Sequence, residues 1–117
     1  MRNKKGLVPR SKIWIEKNRH IVFGDGREEL LTAIDETGSI NKAANKLNIS
    51  YRHAWGYIKI TERRLGMKFL QTQKGGRCGG GATLTDKGRE FLNNYTRFRK
   101  DINGMVDERF KKVFYHK

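Results

Sequence analysis

Apolar residues follow one spacing near the beginning of the chain and another over the rest. Residues 13–15 and 21–23 are short runs of β-prone side chains separated by polar residues 17–20, a pattern that predicts a β-hairpin. From residue 30 onward, apolar side chains recur at steps of three and four, which is typical of amphipathic helices. The spacing therefore predicts a mainly α-helical chain with a small amount of β-structure.

Residues with known preferences for helix ends divide the first helical stretch into two. Asp25, followed three positions later by Glu28, predicts a capping-box start for the first helix, and Gly38 predicts its end. Ser39 predicts the N-cap of a short second helix. Asn48 tolerates a left-handed backbone and predicts the end of that helix.

A third helix is predicted over residues 51–65, with Ser50 as its N-cap and Gly66 at its end. Only three residues join it to the second helix, so the two helices must cross steeply. Ala43 and Ala44 are small enough to allow that close approach. This is the geometry of a helix-turn-helix.

Two predicted strands follow, over residues 68–73 and 82–84, and a glycine-rich loop over 74–81 connects them as a wing. Thr85 then predicts the N-cap of a last helix over residues 86–114. At about 1.5 Å per residue this helix would be about 43 Å long, against a radius of gyration of about 13 Å for a chain of this size. It should therefore extend beyond its own domain.

The apolar stripe of the last helix has two interpretations, packing on its own domain or a seam with a second copy of the chain. The predicted overhang favours a homodimer, whereas a bend at Gly104 would favour packing within the chain. The predicted dimer interface consists of Phe91, Tyr95, Phe98, Ile102 and Met105.

A length of 117 residues fits one domain with a short appendage. We predict a basic flexible arm over residues 1–12, a winged helix-turn-helix domain over 13–85 and a C-terminal helical segment over 86–117. No apolar run is long enough to span a membrane, and residues 1–12 lack the apolar segment of a secretory signal. A single cysteine, Cys78, fits a reducing compartment. These features predict a cytoplasmic protein.

The net charge of +14 is the largest compositional signal, and it predicts attraction to a polyanion. The charge is unevenly distributed. Residues 23–50 carry a net charge of −2, whereas residues 51–77, which include the third helix, carry +6. The positive charge thus coincides with the helix that the helix-turn-helix geometry would project toward a ligand.

We interpret the third helix as a recognition helix for the major groove of DNA, with Ser50, Tyr51 and Arg52 contacting base edges. The alternative is a solvated basic face. Trp55 is interpreted as a core residue in preference to a base-stacking one, and His53 as an exposed neighbour. The predicted phosphate and wing contacts are Ser39, Lys59, Arg63, Lys74, Gly75, Gly76 and Arg77.

The glycine loop has two other interpretations, a nucleotide phosphate loop and a plain hairpin tip. A phosphate loop requires a Gly-Lys-Ser/Thr ending that leads directly into a helix, and residues 82–84 intervene here. Catalytic and metal chemistry are also disfavoured, because Cys78 lacks local spacing to any histidine. We expect no enzyme activity, no metal and no cofactor.

One set of motifs resembles the N-terminal DNA-binding domain of ModE-type molybdate-responsive regulators, and more distantly the LysR-type winged helices. The likeness covers roughly residues 13–102. The motifs that carry it are Gly38-Ser39-Ile40, Ala43-Ala44, Ile49-Ser50-Tyr51, Ala54-Trp55, Ile58, Gly75-Gly76, Gly79-Gly80-Gly81-Ala82, Leu84-Thr85 and Gly88.

The resemblance implies a winged helix-turn-helix that binds operator DNA as a homodimer. A two-fold dimer would place two recognition helices about 34 Å apart, so a palindromic double-stranded site is expected. The sequence after the last helix is too short for the β-barrel that binds molybdate in full-length members of the family. Cys78 also stands where a basic residue is common in the family's wing.

Two other functions compete with a sequence-specific regulator. The same positive charge would serve a non-specific nucleic-acid-binding module or a module that docks onto a protein partner during assembly. A sensor of a small ligand is a third possibility, although no excess of apolar sequence that would form a pocket supports it.

Overall fold

A computed structural model describes residues 6–73 and 81–115, and its order of elements matches the predicted fold class. The described residues form four α-helices and two antiparallel pairs of short strands. In chain order the elements are β1 (Trp14–Lys17), β2 (His20–Gly24), α1 (Asp25–Thr37), α2 (Ile40–Lys46), α3 (Tyr51–Leu65), β3 (Leu70–Thr72), β4 (Ala82–Leu84) and α4 (Asp86–Phe114). The predicted wing residues Lys74, Gly75, Gly76 and Arg77 lie outside the described residues.

The β1–β2 hairpin turns through Asn18 and Arg19, and both residues have a positive φ, of 52° and 69°. Two consecutive left-handed residues are the requirement of a type I′ turn, whose twist matches that of the strands it joins. The hairpin places Val22 and Phe23 in the core, where neither is exposed. The predicted hairpin is thereby confirmed.

The predicted capping box at the start of α1 is wrong. The N-cap is Gly24, and no side chain caps the helix. The Asp25 carboxylate is instead used by α4, since it accepts hydrogen bonds from the Tyr95 hydroxyl at 2.7 Å and from the Arg99 guanidinium at 3.2 Å. Partners that are distant in the sequence have displaced the local role predicted for Asp25 and Glu28.

The ends of the helix-turn-helix are as predicted. The hydroxyls of Ser39 and Ser50 each accept a hydrogen bond from the backbone N–H three residues later, at 3.1 and 3.0 Å. Gly38 ends α1 and Gly66 ends α3 in left-handed conformations, with φ of 72° and 68°. Asn48, in the turn, has a φ of 59°. Local capping chemistry therefore sets the ends of α2 and α3 and the C-terminal end of α1.

The base of the wing is tied to the helix-turn-helix at two points. One carboxylate oxygen of Glu62, on α3, accepts hydrogen bonds from the backbone N–H groups of Phe69 and Leu70 at 2.8 and 3.2 Å. On the second strand, the N–H of Ala82 donates to the carbonyl oxygen of Gly38 at 2.9 Å. β3 is shorter than predicted, β4 has the predicted bounds, and the pairing of the two strands is confirmed.

Helix α4 is continuous through Gly104, and it gives the molecule extents of 64 × 30 × 22 Å and a radius of gyration of 17.7 Å. Its first turn lies directly on β3, because a Cβ at Gly88 would stand 2.5 Å from the carbonyl oxygen of Phe69. Tyr95 is buried, and its ring packs edge to face on Phe23 at 4.9 Å. Burial, reinforced by the hydrogen bond to Asp25, raises the pKa of Tyr95.

The described part of the N-terminal arm runs along α4. Arg99 donates hydrogen bonds to the backbone oxygen of Ser11 at 2.6 Å and to its hydroxyl at 3.0 Å. Leu7, Val8 and Pro9 border a small cavity that Phe110 also lines. The arm therefore shares contacts with both halves of the long helix.

Candidate nucleic-acid interface

Helix α3 exposes a face that combines aromatic and basic side chains. Tyr51 is 50% exposed and Trp55 is 44% exposed, and Arg52 is also exposed on this helix. The interpretation of Trp55 as a core residue is wrong. Ala54 and Ile58 form the buried side of α3, and each residue of a helix is rotated by about 100° from the one before, so Trp55 points outward.

Two arginines on this face are unpaired. Across residues 6–73 and 81–115, Arg52 and Arg63 have neither a hydrogen-bond acceptor nor an ion-pair partner. Lys59 lies one turn after Trp55, with its ammonium 5.3 Å from the centre of the indole ring and 3.4 Å from the Glu62 carboxylate. The helix thus presents two free guanidinium groups and one partly neutralised amine.

Some other arginines are paired within the chain. Arg89 binds Asp35 through both nitrogens, at 2.7 and 3.1 Å, and this hydrogen bonding lowers the pKa of the Asp35 carboxyl. Arg64 donates to the carbonyl oxygen of Ile21 at 2.6 Å. Arg89 and Arg64 therefore contribute to the stability of the fold, whereas Arg52 and Arg63 remain available to an external anion.

A groove of about 830 Å³ adjoins the exposed face of α3 and lies against the base of the wing and the start of α4. Trp55 lines it together with four cations, Lys59, Arg63, Lys68 and Lys87, and with the carboxylates of Glu62 and Asp86. A second groove of about 360 Å³ continues past Trp55 along β3. Positive charge and an exposed indole ring therefore meet where α3, β3 and α4 converge.

The residues predicted to contact DNA differ in how accessible they are in the structure. Tyr51, Arg52 and Arg63 are exposed on α3, and Ser50 lies at its N-terminus with its hydroxyl engaged as the cap. Ser39 is half-buried and occupies the same capping position on α2. The hypothesis about the wing contacts concerns residues that lie outside the described ranges.

Lys68 and Lys87 also belong to this surface, although the sequence alone did not indicate it. They are 19 positions apart, and they come together only because β3 and β4 pair and α4 begins directly after β4. The short link between β4 and α4 at Thr85 is the one signal that could have brought Lys87 to the base of the wing.

The predicted dimer residues divide into two groups. Tyr95 is only 2% exposed, and Phe91 is half-buried against Phe23 and Phe69, so both rings pack within their own domain. Phe98 and Met105 are 48% and 66% exposed, and Ile102 is half-buried between them on the overhanging part of α4. Val113 and Phe114 continue the exposed apolar surface.

In the described ranges, no set of three or more histidine, cysteine or acidic side chains is arranged to hold a metal ion. Over the same residues, no helix has both the length and the apolar character needed to cross a lipid bilayer.

Together, the steeply crossed helices, the strand pair and the exposed basic helix define a winged helix-turn-helix protein. The chain belongs to the bacterial regulatory helix-turn-helix proteins of the lysR family, and the sequence pattern of this family matches residues 28–89. Proteins of this class include DNA-binding transcriptional regulators. The family assignment confirms the predicted fold and places α3 inside the matched region.

Individual relatives are regulators and molybdenum proteins. The chain is 36% identical over 85 residues to the molybdenum transport protein ModE of Azotobacter vinelandii, covering 73% of this chain and 32% of that protein. It is 38% identical over 73 residues to the molybdenum-pterin-binding protein MopB of Rhodobacter capsulatus, covering 62% and 27%. The resemblance to ModE-type proteins is confirmed, and the chain spans about a third or less of these relatives.

The structure is similar to that of the CbnR DNA-binding domain in its complex with DNA, with a TM-score of 0.57 and 24% identity over 75% of this chain and 94% of that one. It is also similar to the BenM DNA-binding domain bound to benA site 1 DNA, with a TM-score of 0.57 and 24% identity over 76% and 94%. At these identities the likeness shows the fold.

Proposed function

We propose that this protein is a sequence-specific transcriptional regulator that binds double-stranded DNA as a homodimer, in the cytoplasm. The observation that carries the proposal is the pair of unpaired arginines, Arg52 and Arg63, on an exposed helix whose fold recurs in DNA-bound domains. Unpaired arginines can bind a polyanion such as DNA, because its phosphates supply the counter-charge that the chain does not provide.

The proposed roles divide α3 along its length. Ser50, Tyr51 and Arg52 lie at the N-terminal end, which enters the major groove in proteins of this class, so they contact base edges. Arg63 lies three turns later, where the helix leaves the groove, and it contacts phosphate together with Lys59.

The remaining proposed contacts come from other elements. Ser39, at the N-terminus of α2, is proposed to contact a DNA phosphate. The wing residues Lys74, Gly75, Gly76 and Arg77 complete the proposed set.

The dependence of DNA affinity on salt tests whether the charge is used in this way. If about six phosphates are neutralised per dimer, the logarithm of the association constant should fall with the logarithm of salt concentration at a slope of about −5. Fluorescence anisotropy with labelled duplex from about 50 to 300 mM salt measures this slope. A slope near zero would contradict the proposal.

Specificity requires a separate measurement, which is selection of bound duplexes from a random pool by the purified protein. We expect an inverted repeat whose half-sites lie about 34 Å apart, one turn of DNA. The protein should retain its preferred duplex under a large excess of random DNA. Selection that yields no preferred sequence would favour a non-specific nucleic-acid-binding module.

Arg52→Ala and Arg63→Ala should have different effects on DNA binding. Arg52→Ala should reduce the preference for the selected duplex over random duplex by about 10- to 100-fold, because a base contact is worth about 1–3 kcal/mol. Arg63→Ala should weaken binding to both duplexes equally and reduce the salt slope by about one. Titration of both variants against both duplexes measures this difference. Equal loss of preference in the two variants would contradict the assigned roles.

A further inference from the structure

Trp55 is an exposed indole on a basic helix. It lies one turn after Tyr51 on α3, and the Lys59 ammonium lies 5.3 Å from its ring centre. Trp55 is 44% exposed and Tyr51 is 50% exposed, so two aromatic rings lie together at the surface of this helix. Its neighbours on the groove wall, Arg63 and Lys68, are cations and complement an anionic partner.

Gly56, the next residue, is not required by the fold. It lies in the interior of a helix of 15 residues, where glycine is less stable than alanine. A Cβ at this position would meet no atom within 4 Å, and its φ is not among the positive values. The missing side chain leaves bare helix backbone directly beside the exposed indole.

We propose that Trp55 and Gly56 together determine base specificity, with the Trp55 indole packing on the 5-methyl group of a thymine and Gly56 allowing the helix to approach that base. The thymine methyl is the apolar group that the major groove presents, so it is the natural partner of an exposed apolar ring there. Lys59 and Arg63 would hold the flanking phosphates. This inference rests on the proposed function, because it assumes that α3 enters the major groove.

Deoxyuridine differs from thymidine only by the 5-methyl group, so it tests the contact directly. Each thymine of the selected duplex is replaced singly by deoxyuridine, and affinity is measured for the wild type and for Trp55→Ala. The wild type should lose about fourfold in affinity at one thymine per half-site, the effect expected from one buried methyl group. The Trp55→Ala variant should bind the thymine and deoxyuridine duplexes equally.

The chain supplies a matched control in its other tryptophan, Trp14, which is similarly exposed but lies on the β1–β2 hairpin. Trp14→Ala should keep the full response to deoxyuridine. In a Trp14→Phe background, the fluorescence of Trp55 alone should change on binding the selected duplex. Thermal unfolding of each variant, followed by circular dichroism, separates loss of contact from loss of fold.

Gly56→Ala provides a second and opposite signature. This variant should unfold at the same temperature as the wild type or a higher one, since alanine is favoured in helices and has room here. It should nevertheless bind the selected duplex at least about threefold more weakly. A purely structural glycine would give the reverse result, with lost stability and unchanged affinity.

Three results would overturn the inference. The first is a wild type that is indifferent to deoxyuridine at every thymine, and the second is a Trp55→Ala variant that keeps the wild-type response. The third is a Gly56→Ala variant that binds as tightly as the wild type. In all three the protein still binds a preferred duplex, so the proposed function stands. Absence of any preferred duplex would overturn both.

Discussion

Replacing Glu62 by alanine should lower the free energy of unfolding by about 2–5 kcal/mol. This carboxylate is buried, and it accepts hydrogen bonds from the backbone N–H groups of Phe69 and Leu70 at the start of β3. Its removal leaves two buried donors unsatisfied and detaches the base of the wing from α3. Urea denaturation followed by circular dichroism measures the loss.

Two variants separate the parts of this effect. Glu62→Gln keeps an oxygen acceptor and removes the charge, so it should cost clearly less than the alanine substitution. Lys59→Met removes the ion pair at 3.4 Å and leaves both backbone hydrogen bonds, and we expect a change within about 1 kcal/mol because Lys59 is partly exposed. A Glu62→Ala variant as stable as the wild type would show that the hydrogen bonds do not hold β3.

Features that depend on a few neighbouring residues could be predicted from the sequence. Ser39 and Ser50 cap α2 and α3, and Gly38 and Gly66 end α1 and α3, because caps involve residues within four positions of each other. The exposed position of Arg52 also followed from helical periodicity. The order of elements and the family resemblance rest on such local patterns.

Features that depend on distant residues could not be predicted. Asp25 appeared to be a helix cap, but its partners Tyr95 and Arg99 are 70 and 74 positions away. Glu62 looks in the sequence like one acid on a basic helix, since the backbone donors it binds become adjacent only after α3 turns into β3.

Trp55 was misassigned for a related reason. Hydrophobicity alone assigns a tryptophan to the core, and its place on α3 is decided by which neighbouring residues, Ala54 and Ile58, meet the other helices. Within the site, therefore, the basic residues of α3 were predictable from charge, whereas the indole and the wing-base lysines required the folded structure.

The second large effect concerns the overhanging half of α4. Phe98 and Met105 are seven residues apart, so they lie on one face of the helix, and both are largely exposed in the single chain. The double variant Phe98→Glu/Met105→Glu should be monomeric at concentrations where the wild type is dimeric, because two like charges would face their own copies across the seam. Sedimentation velocity ultracentrifugation measures the change.

Loss of the dimer should reduce affinity for the palindromic duplex by at least about 100-fold, because the second half-site then no longer binds as part of the same molecule. A duplex containing one half-site should show little difference between the variant and the wild type.

The matched control is Asn93→Glu/Lys100→Gln, which has the same spacing and the same total charge change on another face of α4, and which should remain dimeric. If the Phe98→Glu/Met105→Glu variant stayed dimeric, or if the control variant dissociated equally, the apolar stripe of α4 would not form the dimer interface. Phe91 and Tyr95 pack in their own core, so the proposed dimer interface consists of the apolar residues of α4 beyond them.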